Sequence, residues 1–113
     1  MSIDKELLKG STATMVLKVI AEGDAYGYEI AAELARRSNG VFRLKEGTLY
    51  PILHTLEREK YVTSYLGTAA NGRERRYYHL SASGAVYLAA RIEEWELFAS
   101  SVRRVLAGGG AHE

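Results

Sequence analysis

Apolar residues at Met15, Val16, Val19 and Ile20 keep the three-and-four spacing of one helix face, and the run closes at Gly23. The spacing predicts a first helix from about Ser11 to Glu22, with Gly23 in the left-handed position after its end. The preceding stretch "DKELLKG" has the composition of a short extra turn. A second helix is expected from about Tyr26 to Ser38, with Asp24 placed to cap it, Ile30 and Leu34 facing inward, and Asn39 and Gly40 ending it.

The third periodic segment, "RLKEGTLYPILHTLEREKYV", puts Leu49, Ile52, Leu53 and Leu56 on one side and Tyr50, His54, Thr55 and Arg58 on the other. It holds the only proline of the chain, Pro51. If Thr48 caps the helix, Pro51 is its third residue, where no backbone donor is needed. If the helix starts at Glu46, Pro51 lies beyond the free donors and a local kink is expected.

After this segment the period changes. "YVTSYLG" and "RERRYYHL" are rich in β-branched and aromatic residues, and "TAANG" between them carries turn chemistry. They predict a hairpin with Asn71 and Gly72 near its tip. Ser81 then stands as the N-cap of a fourth helix reaching about Leu106, about 37 Å long at about 1.5 Å per residue. Three helices, a hairpin and a helix form the order of a winged helix-turn-helix, whose third helix enters the DNA major groove. The expected fold is therefore mostly α with a small β hairpin. Residues 1–80 would form the winged unit, 81–107 a C-terminal helix and 108–113 a flexible tail.

Composition narrows the class. A chain of 113 residues supports one modest core, and 47% apolar with 26% charged residues is ordinary for a globular protein. No apolar run is long enough for a membrane span, and the N-terminus lacks the pattern of a secretory signal. Without cysteine there is neither a disulfide framework nor a thiolate metal site, so a cytoplasmic location is the expectation. Net charge is only +1, but its distribution is uneven: from Arg36 to His79 there are nine Lys or Arg against four acids. A basic centre between acidic ends fits a nucleic-acid surface joined to another module, and it also fits a solvated charged face.

Four motifs carry a resemblance: "YGYEI" at Tyr26 to Ile30, "EGTLYPILHTLE" at Glu46 to Glu57, "GRERRYYHLS" at Gly72 to Ser81, and Gly84 early in the last helix. In order and spacing they resemble the PadR-like bacterial transcriptional regulators, over nearly all the chain to about Val105. The short length is similar to the subgroup with a single C-terminal dimerising helix. The resemblance implies a homodimeric winged-helix repressor that binds a double-stranded DNA operator of two half-sites and often responds to a small molecule.

Under that resemblance, Lys45, Thr48, Tyr50 and Pro51 in the first turn of the third helix would meet the groove, with His54 and Arg58 following. Lysine and threonine reach phosphates or base edges, while tyrosine and proline add hydrogen bonding and apolar contact. Packing of Tyr50 and Pro51 against the neighbouring helix is the other reading. In the wing, strand alternation puts Arg73 and Arg75 on the face of Tyr77, and Arg76 on the face of Tyr78 and Leu80. Arg73 and Arg75 are the expected DNA contacts, and Arg76 is open between DNA and a structural ion pair.

In the last helix Ala85, Leu88, Ile92, Trp95, Ala99, Val102 and Leu106 recur as a heptad seam. The seam predicts a homodimer built on Leu88, Ile92, Trp95, Val102 and Leu106. Trp95 has two readings. It fills the dimer core as an anchor, or, as in some relatives, it lines a pore for a flat aromatic effector with Leu88, Ile92, Ala99 and Ala13 as neighbours.

Catalysis finds little support. His54, His79 and His112 form no local metal motif, Ser81 and Ser83 lack a His and Asp pair, and "GGGAHE" is no phosphate loop. No cofactor, metal or membrane is expected. The competing class is a dimeric winged-helix module that binds another protein and not DNA.

Overall fold

The computed structural model describes residues 10–108. The expected extra turn of "DKELLKG", apart from Gly10, lies outside these residues, as do His112 and most of the expected tail. Four helices and three strands follow in the order α1 Thr12–Ala21, β1 Ala25–Tyr26, α2 Gly27–Arg37, α3 Glu46–Arg58, β2 Val62–Thr68, β3 Glu74–Leu80 and α4 Ala82–Leu106.

One core joins them. Val16, Leu17 and Ile20 of α1, Ile30 and Leu34 of α2, Leu49, Leu53 and Leu56 of α3, Val62 of β2, Tyr78 of β3 and Leu88 of α4 are all buried in a single cluster. Each buried Leu, Ile or Val side chain contributes about 1.5–3 kcal/mol relative to exposure, so these stripes select the helix orientations. The period-based inward face of α3 is as expected, with Ile52 half-buried at its margin.

The hairpin has company. β2 and β3 pair antiparallel from Val62↔Leu80 to Thr68↔Glu74, and β1 adds to the far side of β3 through Ala25↔Tyr78 and Tyr26↔Tyr77. Two residues are too few to show an alternating pattern, which is why β1 was not expected. Gly72, at φ +83°, turns the wing tip as its position predicts.

Three local expectations need correction. Gly23 is not left-handed; α1 ends by tightening, with Glu22 N–H donating to Val19 O and Gly23 N–H to Ile20 O. Asp24 does not cap α2, because the residue next to the helix is Tyr26, whose N–H donates to Glu29 Oε1 (3.2 Å). Thr48 does not cap α3: the N-cap is Lys45, whose carbonyl accepts from Thr48 N–H and Leu49 N–H, both at 2.9 Å. The helix runs unbroken through Pro51, its sixth residue. Proline leaves the carbonyl of the exposed Gly47, four residues earlier, without a helical donor, and solvent on that side can serve it. At the other end of α2 the expectation holds, with Asn39 and Gly40 both at positive φ.

Candidate nucleic-acid interface

At about 100° per residue, Gly47, Pro51, His54 and Arg58 stand at the centre of the side of α3 opposite Leu49, Leu53 and Leu56. All four are exposed, as are Lys45, Thr48 and Tyr50. Of the residues expected to meet a groove, Pro51, His54 and Arg58 thus share the solvent side of α3, Thr48 and Tyr50 flank it, and Lys45 stands at the cap before it.

The flanks of that face are anchored. A Cβ on Gly27 would lie 2.9 Å from Tyr50 Oη, so the phenol rests on the first turn of α2 while the residue as a whole stays 39% exposed. Tyr50 thus packs on the neighbouring helix and still keeps part of its surface open to solvent. On the other flank Pro51 lines a shallow apolar groove with Ala13, Ile52, Thr55 and Leu56. Ala13 therefore faces α3 across this groove.

The wing divides its arginines as strand alternation requires. Arg73 sits in the turn and is exposed. Arg75 lies on the sheet face carrying Tyr65 and Tyr77, its guanidinium 5.6 Å from the centre of the Tyr26 ring and its Nε buried with no partner among the described residues. Arg76 lies on the opposite face. Its Nη1 donates to Ser64 Oγ (3.1 Å), which donates to Glu57 Oε2 of α3 (2.6 Å). This three-residue bridge ties the wing to α3. Sequence reasoning missed Ser64 and Glu57, because only the register Ser64↔Tyr78 places them beside Arg76.

Charge pairing separates the basic residues into two groups. Arg36 and Arg37 are held by Glu33, and Arg37 also by Glu22 of α1. The two arginines hold the Glu33 carboxyl down to about 2. By contrast, Lys45, Arg58, Arg73, Arg75 and Arg76 make no ion pair among the described residues. Arg43 and Lys60 beside α3 and Arg103 and Arg104 near the end of α4 make none either, so α3 with its flanks and the wing carry seven such cations and the end of α4 two.

The remaining histidine of the sheet is structural in its surroundings. Asp24 accepts from Tyr65 Oη (2.6 Å) and lies 2.9 Å from His79 Nδ1, and these bonds, Tyr65 first, hold its carboxyl below the usual range. No group of three or more His, Asp or Glu among the described residues could hold a metal.

Along α4 the heptad seam changes surroundings. Leu88 is buried in the chain's own core and Ile92 packs on it, whereas Trp95 is 47% and Leu106 78% exposed, with Val102 also exposed. Ala99 beside them is half-buried. Leu97, Phe98 and Val105, off the seam, are open as well.

A three-helix unit with an exposed third helix, a cationic wing and a long projecting helix defines a winged-helix DNA-binding regulator. Residues 16–90 match the transcriptional regulator PadR-like family, and the chain belongs to it. It is 31% identical over 108 residues to a transcriptional regulator of Mycobacterium tuberculosis, covering 96% of this chain and 94% of that one. Its fold is similar to a PadR-like transcriptional regulator from Bacillus cereus (TM-score 0.82, 28% identity, 92% of this chain and 99% of that one). It is also similar to a transcriptional regulator from Clostridium thermocellum (TM-score 0.80, 32% identity, 88% and 97%). The family and these relatives are regulators of transcription and not enzymes.

Proposed function

We propose that this regulator is a cytoplasmic homodimeric repressor that occupies a promoter by seating α3 of each subunit in successive major grooves, about 34 Å apart. Lys45, Thr48, Tyr50, Pro51, His54 and Arg58 meet the groove and its phosphates; Arg73 and Arg75 of the wing meet the flanking backbone. The observation that carries this reading is that Lys45 and Arg58 of the exposed α3 side and Arg73 and Arg75 of the wing make no ion pair among the described residues, whereas Arg36 and Arg37 of α2 are held by carboxylates. Two copies join through α4, where Trp95, Val102 and Leu106 cover one another with support from Leu88 and Ile92. A flat aromatic effector fits between the paired helices at Trp95, beside Ile92, Leu88 and the small Ala99. It acts by favouring one separation of the two α3 helices over another.

Salt titration on random duplex tests the DNA role. Binding is expected to weaken linearly on a logarithmic salt scale, and Arg73→Ala is expected to reduce the slope by about 1. Affinity that ignores salt, or none at low salt, would turn the assignment toward a protein partner. For the effector, quenching of Trp95 fluorescence by planar aromatic compounds is the expected result; an unresponsive Trp95 would leave it a packing anchor.

A further inference from the structure

The end of α3 and the start of α4 meet at one point, although a whole hairpin lies between them in sequence. Beyond α3, Lys60 takes φ +68° and Tyr61 N–H donates to Leu56 O (2.9 Å), folding the chain back onto the helix it has just left. The strands then run out and return, and Ser81 N–H donates to Tyr61 O (3.0 Å). The wing is thus an excursion whose two ends are hydrogen-bonded together.

The first turn of α4 closes on the same two carbonyls. Ser81 Oγ lies 2.7 Å from Lys60 O and 3.0 Å from Tyr61 O, Ser83 Oγ donates to Lys60 O (3.0 Å), and Ser81 Oγ accepts the Gly84 N–H (3.0 Å). Gly84 packs so tightly that a Cβ there would stand 2.0 Å from Tyr61 O, a backbone atom with nowhere to go. One turn later Tyr87 stacks on Tyr61, ring centres 4.0 Å apart and planes within 9°. Backbone, hydroxyl and aromatic contacts all lock the same junction.

We propose that this junction, made of Lys60 and Tyr61 against Ser81, Ser83, Gly84 and Tyr87, is the positioning element that sets the half-site spacing the dimer accepts. The inference rests on the dimeric DNA-binding reading above. Its leverage is geometric. The 13 residues of α3 span about 20 Å, so a rotation of about 10° at the junction moves the groove end by about 3.4 Å, the rise of one base pair. Each added base pair also turns one half-site by about 34–36° around the duplex. A stiff junction therefore makes spacing a component of specificity, read by residues that touch no DNA.

The experiment measures affinity across duplexes whose half-sites, recovered by selection with the full chain, are moved apart or together one base pair at a time. Wild type is expected to lose about tenfold for the first displaced base pair. Tyr87→Ala and Ser83→Ala, which avoid the clash of a Gly84 substitution, are expected to flatten this profile to about threefold while Tyr87→Phe, which keeps the stacked ring, retains it. Spin labels on Glu46→Cys, the single cysteine in a chain that has none, report the distance between the two α3 helices without DNA. That distribution is expected to be narrow in the otherwise wild-type protein and broad with Tyr87→Ala. Unchanged profiles in both alanine variants, a flat wild-type profile, or a Tyr87→Phe profile as broad as alanine's would overturn the junction's role. Wild type binding no duplex at all is a different result: it removes the regulator reading itself, and the spacing role with it.

Discussion

Pro51 shows how one residue can be well placed and locally costly. In the sixth position of α3 it removes a helical hydrogen bond, and the chain tolerates this on the solvent side, opposite Leu49 and Leu53. Pro51→Ala is expected to raise the unfolding free energy by about 1 kcal/mol or more in denaturant titration, because a donor for the Gly47 carbonyl returns. The same substitution is expected to weaken operator binding, since it removes a rigid apolar group from the centre of the exposed face; unchanged affinity would place Pro51 outside the contact. Gly27→Ala is a second probe at this scale. Its Cβ meets only the movable end of Tyr50, so stability is expected to fall by less than about 1 kcal/mol while the displaced phenol changes the preference among DNA sequences, measured by binding to selected and random duplexes. The side of α3 to which these residues belong was legible from apolar spacing alone. The helix start was not, since Thr48 and Lys45 are both credible caps until the backbone around Lys45 is known.

Between elements, α1 and α2 are joined by charge as well as by apolar packing. Glu33 pairs with Arg36 and Arg37, and Arg37 reaches back to Glu22. The folded-state carboxyl of Glu33 is held to about 2, against 4.5 unperturbed, so its contribution is present above about pH 4.5 and is lost as pH falls toward about 2. Denaturation of wild type and Glu33→Gln is therefore expected to differ most near neutral pH and to converge at the acid end; a gap independent of pH would assign the effect to packing. This pairing also alters the meaning of the basic centre seen in the sequence. Of its nine cations Arg36 and Arg37 are held by Glu33, Arg37 alone reaching α1, and the other seven lie in or beside α3 and in the wing. Linear charge counting could not separate them, because Glu22 and Arg37 approach only through the α1–α2 turn.

In the whole molecule the long helix decides the shape. The Cα radius of gyration is 16.5 Å, against about 13 Å for a globular chain of this length, and the principal extents are 64 × 32 × 20 Å. The excess belongs to α4, whose first turns are covered by the core and whose later turns are bare. Val102→Glu puts a charge on the bare part of the seam without touching the core. It is expected to leave helicity by circular dichroism intact, to shift sedimentation from dimer to monomer, and to reduce operator affinity by about 100-fold as bivalent attachment is lost. A variant that stayed dimeric would move the interface away from the seam. The heptad spacing foretold an apolar stripe, but not that Leu88 and Ile92 at its start would be taken up within the chain.

The sequence by itself determined the elements with strong local signals: four helices, the hairpin with its Gly72 turn, the Ser81 cap, and the order that makes a winged helix. These follow from side-chain periodicity and local backbone preference, which act within a few residues. Only the tertiary structure decided the third strand, the caps of α2 and α3, the division of cations into paired and unpaired, and the meeting of Tyr61 with Ser81, Gly84 and Tyr87. Each of these depends on groups distant in sequence or on a contest between neighbouring caps, and such choices are settled by packing, not by pattern.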